Sequence, residues 1–175
     1  MSYSNFEIDR MLRSMYVIVD TREQDTERFR YRMKNIGCPY IRDALSYGDY
    51  SVGYTDVDGQ KKDLRRIVVI ERKMNLDELC GCFTSDRARF EREFKRARQD
   101  HAKVHLLVED GNYEKMFDGK YRSKMHPNSL IASYLAWAER FNIQLHFCEK
   151  KTTPKLINKI LHYSLKVYLE GQTDD

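Results

Sequence analysis

Gly48-Asp49-Tyr50, a polar interval, then Ile67-Val68-Val69-Ile70-Glu71-Arg72-Lys73 and Asp77 form the stretch from which the rest of this 175-residue chain is read. The second segment reads as a strand, along which side chains alternate with period two. Glu71 and Lys73 then project from one face and Arg72 from the other. Asp49, Glu71 and Lys73 are the residue types that magnesium-dependent phosphodiester hydrolysis needs. Magnesium takes oxygen ligands and is usually held by one or two carboxylates, with water and substrate phosphate completing its shell. Asp49 and Glu71 can supply those two. A nearby ammonium can orient the attacking water or neutralise charge on the attacked phosphate, and Lys73 is the candidate for it. Gly48 lets the backbone bend and lets another group approach. Arg72 reads as a salt-bridge or packing residue.

The spacing alone does not decide, because a D…ExK pattern recurs by chance in a chain with 33% charged residues. Alternating charges at a strand end are commonly just its solvated mouth. The surroundings add more. The sequence closely resembles the nuclease domain of the XPF-type (ERCC4-domain) structure-specific endonucleases, whose signature runs GD, a gap, ERK and an aspartate four residues on. Val17-Ile18-Val19-Asp20-Thr21-Arg22-Glu23 resembles that family's opening strand and D-x-R-E segment, and Leu45 to Tyr50 its approach to the metal aspartate. Asp86-Arg87 falls where the family has a basic residue opening a helix, and Val104 to Glu109 resembles its following strand.

The resemblance spans about residues 16 to 110. It implies an α/β, restriction-endonuclease-like fold of the PD-(D/E)XK type, with a mixed central sheet flanked by helices. It also implies metal-dependent hydrolysis of DNA by in-line attack of water, at branched or flap structures. Asp49 and Glu71 would bind magnesium or manganese and Lys73 would assist. Asp20, Glu23, Arg72, Asp77 and Arg87 would support the site, Arg87 by binding a phosphate. Asp20 and Glu23 equally suit capping of the next helix. Asp77 could instead hydrogen-bond backbone amides.

At 175 residues the chain is expected to form one nuclease domain, able to bury about 70% of its unfolded surface. Its core would run over residues 15 to 150, with a C-terminal helix at 152 to 170. A hydrophobic content of 41% and a mean hydropathy of −0.72 leave no run near the length of a membrane span. With no apolar leader in Met1 to Arg13, an intracellular location is expected. A net charge of +4 and a pI near 8.8 permit a polyanionic partner without requiring one. Cys38, Cys80, Cys82 and Cys148 lack the paired spacing of a zinc site and read as free thiols.

Along the chain, helical spacing of Phe29, Met33 and Ile36 predicts a helix over Gln24 to Asn35, stopped by Gly37. Short strands follow at Pro39 to Leu45 and Asp49 to Tyr54, then a charged loop from Asp56 to Asp63. Leu64 to Lys73 is predicted to return beside Asp49 as a hairpin. A short helix carries Asp77, and Thr84 or Ser85 caps a helix whose Phe90, Phe94 and Ala97 face the core. After a strand at Lys103 to Val108, the loop Gly119 to Ser129 bears Lys120, Tyr121, Arg122 and Lys124. Basic residues interleaved with an aromatic suit phosphates and an unstacked base; an ordinary exposed loop fits rather better.

Asn128 or Ser129 is predicted to cap the next helix, and Ile143 to Phe147 forms a last strand. The final helix carries Lys155, Lys159, His162 and Lys166 in one narrow stripe, and nearly all else from Leu156 to Leu169 is apolar or aromatic. That is more apolar surface than one sheet face should cover, so a partner is expected, and the family resemblance makes it a second copy; a fully buried core helix is the alternative. Many XPF-type enzymes add a helix-hairpin-helix module or a helicase, neither of which is read here. DNA selectivity is then expected from the nuclease surface, the dimer or another protein. Two other readings stay open: a catalytically silent DNA-binding or dimer-partner copy of the fold, and a protein-interaction subunit built on the last two helices.

Overall fold

In a computed structural model that describes residues 3–171, β5 (Val68–Lys73), the strand ending in Glu71-Arg72-Lys73, lies inside a seven-stranded mixed sheet. The other strands are β1 (Tyr16–Val19), β2 (Tyr40–Arg42), β3 (Tyr50–Thr55), β4 (Lys61–Asp63), β6 (Lys103–Glu109) and β7 (Ile143–Cys148). Their order is β2-β1-β3-β5-β6-β7, with β4 paired to β3. β3 is antiparallel to β1, β4 and β5, whereas β1 with β2, β5 with β6 and β6 with β7 are parallel. Met1, Ser2 and residues 172–175, which the one-domain expectation includes, lie outside the described residues.

Among the described residues, seven helices cover the sheet: α1 (Asn5–Arg13), α2 (Glu27–Asn35), α3 (Leu76–Phe83), α4 (Arg87–Gln99), α5 (Tyr113–Phe117), α6 (Pro127–Phe141) and α7 (Thr153–Gly171). On one side, Val69, Val104, Leu106 and Val108 pack under α3, α4 and α6. An aromatic cluster locks those helices together, with Trp137 edge-on to Phe83, Phe94 and Phe141 at centroid distances of 5.0, 5.5 and 5.6 Å. Such pairs stabilise beyond their buried area. On the other side, Val17, Val52, Val68, Ile70 and Leu107 pack under α1, α2 and α7.

Local chemistry explains most boundaries. Ser4 and Glu7 form a reciprocal capping box on α1, and Thr26 Oγ1 accepts the Phe29 amide at the start of α2. Gly37, at φ +78°, follows α2 in a conformation that favours glycine. Three expected caps differ. α4 starts at Asp86 without a side-chain cap, while Thr84 Oγ1 donates back to the Cys80 carbonyl. The α6 cap is His126, whose Nδ1 accepts the Asn128 amide, with Pro127 opening the helix. Asp20 and Glu23 do not cap α2.

The predicted hairpin is looser than expected, because β4 supplies the tight return and β3 pairs with β5 only at Tyr50 and Ile70. The last helix buries Ile157, Leu161, Leu165 and Leu169 completely and leaves Tyr163 and Val167 exposed. It is therefore a core helix with one uncovered apolar edge. Among the described residues no helix is long and apolar enough to cross a membrane.

Candidate active site

Because β3 runs antiparallel to β1 and β5, its start meets their C-terminal ends at one edge of the sheet. Gly48 makes this possible: it sits at φ +73°, and a Cβ there would lie 2.8 Å from Val69 Cβ. Asp49 is then pinned between strands. Its amide donates to the Ile70 carbonyl at 2.8 Å, and its own carbonyl accepts the Asp20 amide at 2.9 Å. The ladder to β5 ends at Ile70, and Asp49 Oδ2 takes over by accepting the Arg72 amide at 2.7 Å. The Asp49 side chain is thereby fastened to β5 between Glu71 and Lys73.

Glu71 and Lys73 share a face, as their alternation predicts, and both are buried. Lys73 Nζ donates to Glu71 Oε1 at 2.6 Å and stands 3.9 Å from the centroid of the Phe90 ring. Burial by itself would lower the Lys73 pKa, but the charges of Glu71 and Asp49 outweigh it and hold the ammonium protonated. Asp49 keeps part of its surface in solvent. Burial first, then the negative charges of Glu71 and Glu23, push its carboxyl well above the usual carboxylate range.

A third carboxylate joins from α4. Glu93 is buried on the same helix face as Phe90 and Phe94, and burial followed by the Glu71 charge raises its pKa. Arg22 bridges it to the β1 edge: Nε lies 2.7 Å from Asp20 Oδ1 and Nη1 3.6 Å from Glu93 Oε1. Asp20 is committed to structure, accepting the Leu45 amide with Oδ2 and the Arg22 amide with Oδ1. It also holds the Arg22 guanidinium beside the site. Glu23 accepts from Tyr50 Oη and from Arg32 Nη2, both at 2.8 Å.

Glu93 and Arg22 were not singled out by the sequence reading. For Glu93 a signal existed, since a glutamate three residues after Phe90 interrupts an otherwise apolar stripe.

Asp49 and Glu71 fit a divalent cation. Their acidic groups are crowded enough that one resists ionisation, which a cation would relieve. Among the described residues no group of three or more His, Cys, Asp or Glu side chains is arranged to hold a metal. Two carboxylates are what magnesium commonly takes.

The remaining candidates are dispersed. Arg72 points to the opposite face, 3.6 Å from Glu109 Oε1, as its alternation predicts. Asp77 does not join the carboxylates but clasps the loop before α6. Its Oδ1 accepts the amides of Arg122 and Ser123 at 2.7 and 2.8 Å, and Oδ2 pairs with Arg122 Nε at 3.2 Å. The backbone-amide alternative is thus the one the structure contains, directed at a distant loop. Arg87 opens α4 with its guanidinium 5.6 Å from the Trp137 ring. Lys120 is paired with Asp118 and Arg122 with Asp77, whereas Lys124 has no ion pair among the described residues. Tyr121 is not free for a base, because its ring packs on the core and its hydroxyl donates to the Met125 carbonyl.

A mixed sheet with carboxylates and a lysine gathered where β1, β3 and β5 meet defines a restriction-endonuclease-like nuclease fold. Among solved structures the chain is similar to XPF from Aeropyrum pernix, with a TM-score of 0.59 and 22% identity over 85% of this chain and 61% of that one. It is also similar to the same protein in complex with DNA, with a TM-score of 0.60 and 22% identity over 87% and 66%. The chain therefore spans under two thirds of the length of those XPF chains. No curated protein matches it significantly in sequence. Residues 19–160 match the ERCC4 domain, and the chain belongs to that family.

Proposed function

We propose that this chain is a metal-dependent DNA endonuclease that hydrolyses phosphodiester bonds, with branched or flap DNA as its substrate class. The observation that carries the proposal is the Asp49 carboxylate held by the Arg72 amide beside the Glu71–Lys73 pair. Magnesium or manganese, held by Asp49 and Glu71, would withdraw charge from the attacked phosphate and make a water easier to deprotonate. Lys73 acts as a donor: with its ammonium held protonated by Glu71, it orients the nucleophile or neutralises charge on the phosphate and does not abstract the proton. Arg22 keeps Asp20 and Glu93 in place around this centre. Arg87 and Lys124 offer phosphate contacts on the α4 rim.

The expected homodimer finds support in the uncovered edge of α7. Ile160, Tyr163 and Val167, with Gln144 and His146 of β7, line a groove of about 580 Å³ whose walls are mainly apolar. A second copy seated there would be disrupted by Val167→Glu, read as a halved mass in sedimentation.

The direct test is cleavage of labelled duplex, single-stranded, flap, fork and four-way-junction DNA with magnesium or manganese. Cutting that Asp49→Asn and Lys73→Ala both abolish supports the mechanism, and the ranking of substrates gives the specificity. DNA binding without cutting of any of these by the native chain would favour the silent copy.

A further inference from the structure

Beyond the C-terminal end of β5, a cavity of about 750 Å³ opens beside Arg72, lined on the α2 side by Arg28, Arg32 and Arg72 and on the α4 side by Arg22 and Arg89, which already pair with Glu93. Three glutamates share it, but two are committed. Glu23 holds Arg32 and Tyr50, and Glu78 accepts the Met74 amide at 2.6 Å. Arg72 is largely desolvated, with Nε and Nη1 buried and without a hydrogen bond. Its contact with Glu109 at 3.6 Å is an ion pair too long for a hydrogen bond. Arg28, in the first turn of α2, is exposed, and its side chain has no ion pair among the described residues.

Arg28 and Arg32 also line a second, adjoining cavity of about 330 Å³, where with Lys150 and Lys151 they outnumber Glu27 and Glu109, and Tyr31 completes the wall. Tyr31 is 47% exposed. A cation-lined hollow that adjoins an exposed aromatic supplies the two things a single nucleic-acid strand needs: charge for a phosphate and a ring face for an unstacked base. Bases stacked inside a duplex cannot reach such a ring.

We infer that the two cavities along α2 form a single-strand track, taking a phosphate between Arg28 and Arg72 and the neighbouring base on Tyr31. The track begins at the candidate active site, because the Arg72 amide holds Asp49 while its side chain faces the cavity. This deepens the nuclease reading and rests on it for the direction of the strand. The phosphate is either a terminal monoester or an internal diester, since both present the oxygens that arginine grips.

The test is fluorescence anisotropy in EDTA with a 3′-labelled oligothymidylate of about twelve nucleotides, with and without a 5′-phosphate, and with a duplex of equal length. Arg28→Glu and Tyr31→Ala are each expected to weaken single-strand binding about tenfold, with circular dichroism confirming that both fold. Arg28→Ala should also flatten the salt dependence by about one ion. Loss confined to the phosphorylated strand identifies a terminal phosphate, and equal loss on both strands an internal one. Unchanged single-strand affinity in both variants, or an equal loss on duplex, overturns the track. Because binding is read without metal, Asp49→Asn should retain it, so failure of cleavage and failure of the track are separate results.

Discussion

Glu71 and Lys73 on one face of β5 and Arg72 on the other are neighbours in sequence, yet they sit in opposite electrostatic surroundings. On the α4 side, Asp49, Glu71 and Glu93 crowd around one ammonium, and burial raises the pKa of Asp49 and Glu93. On the α2 side, Arg28, Arg32 and Arg72 line a cavity with Glu23 and Glu27, and the Arg72 charge is only loosely compensated. One face crowds its carboxylates, and the other holds an arginine whose Nε and Nη1 have no hydrogen bond. Period-two alternation of a strand is what lets three consecutive charged residues serve both.

The comparison breaks first at the acidic face. Glu71→Gln should lower single-turnover cleavage about a thousandfold, in line with the several kcal/mol that a metal's charge supplies to a phosphoryl transition state. An unaltered rate would remove Glu71 from the chemistry. Next in size is the scaffold behind that face. Trp137→Ala removes the ring that meets Phe83, Phe94 and Phe141, and should cost about 3–5 kcal/mol in urea unfolding. A much smaller loss would show that α4 is held to the sheet by other contacts.

Acidification probes the α7 face. His105 Nδ1 lies 2.8 Å from His146 Nε2, and burial, followed by the His146 charge, pushes the His105 pKa down to about 4. The unfolded chain then binds more protons than the folded one between its ordinary value of 6.5 and that depressed value. Stability should be complete above this window and fall through it by on the order of 2–3 kcal/mol, and His105→Leu should flatten the fall. The smallest effect has the opposite sign. The raised pKa of Asp49 means that metal-free folded protein binds the extra proton, so its stability declines as pH rises toward that pKa. Asp49→Asn should raise the thermal midpoint of metal-free protein at neutral pH by about 2–4 °C, while removing the further rise that magnesium gives the native chain. A lower midpoint in Asp49→Asn would show that Asp49 is not strained by its neighbours.

Much of this was legible before the structure. The shared face of Glu71 and Lys73, the opposite face of Arg72, the apolar stripe of α4 and the stop at Gly37 all follow from periodicity and backbone preference, which act over a few residues. The cap of α4 was misplaced because Thr84 and Ser85 have the right side chains, but Thr84 turns back onto Cys80. Asp77 was drawn toward the active centre by resemblance, and its engagement with Arg122 and Ser123 could not be read because a loop over forty positions later supplies the amides. Tyr121 looked like a platform for a base, and the core claimed it instead.

The sequence by itself determined the residue types of the candidate site, the strand that presents two of them, most of the helices that cover the sheet and the family to which the chain belongs. Those depend on local alternation and on order along the chain. Only the tertiary structure decided that Glu93 and Arg22 join the site, that His105 meets His146, and that α7 is a core helix with one bare edge. It also decided that Arg72 opens into a cavity with Arg28 and Tyr31. Each of these turns on which distant segments pack together, and the burial that moves a pKa or leaves a charge uncompensated exists only once they have met.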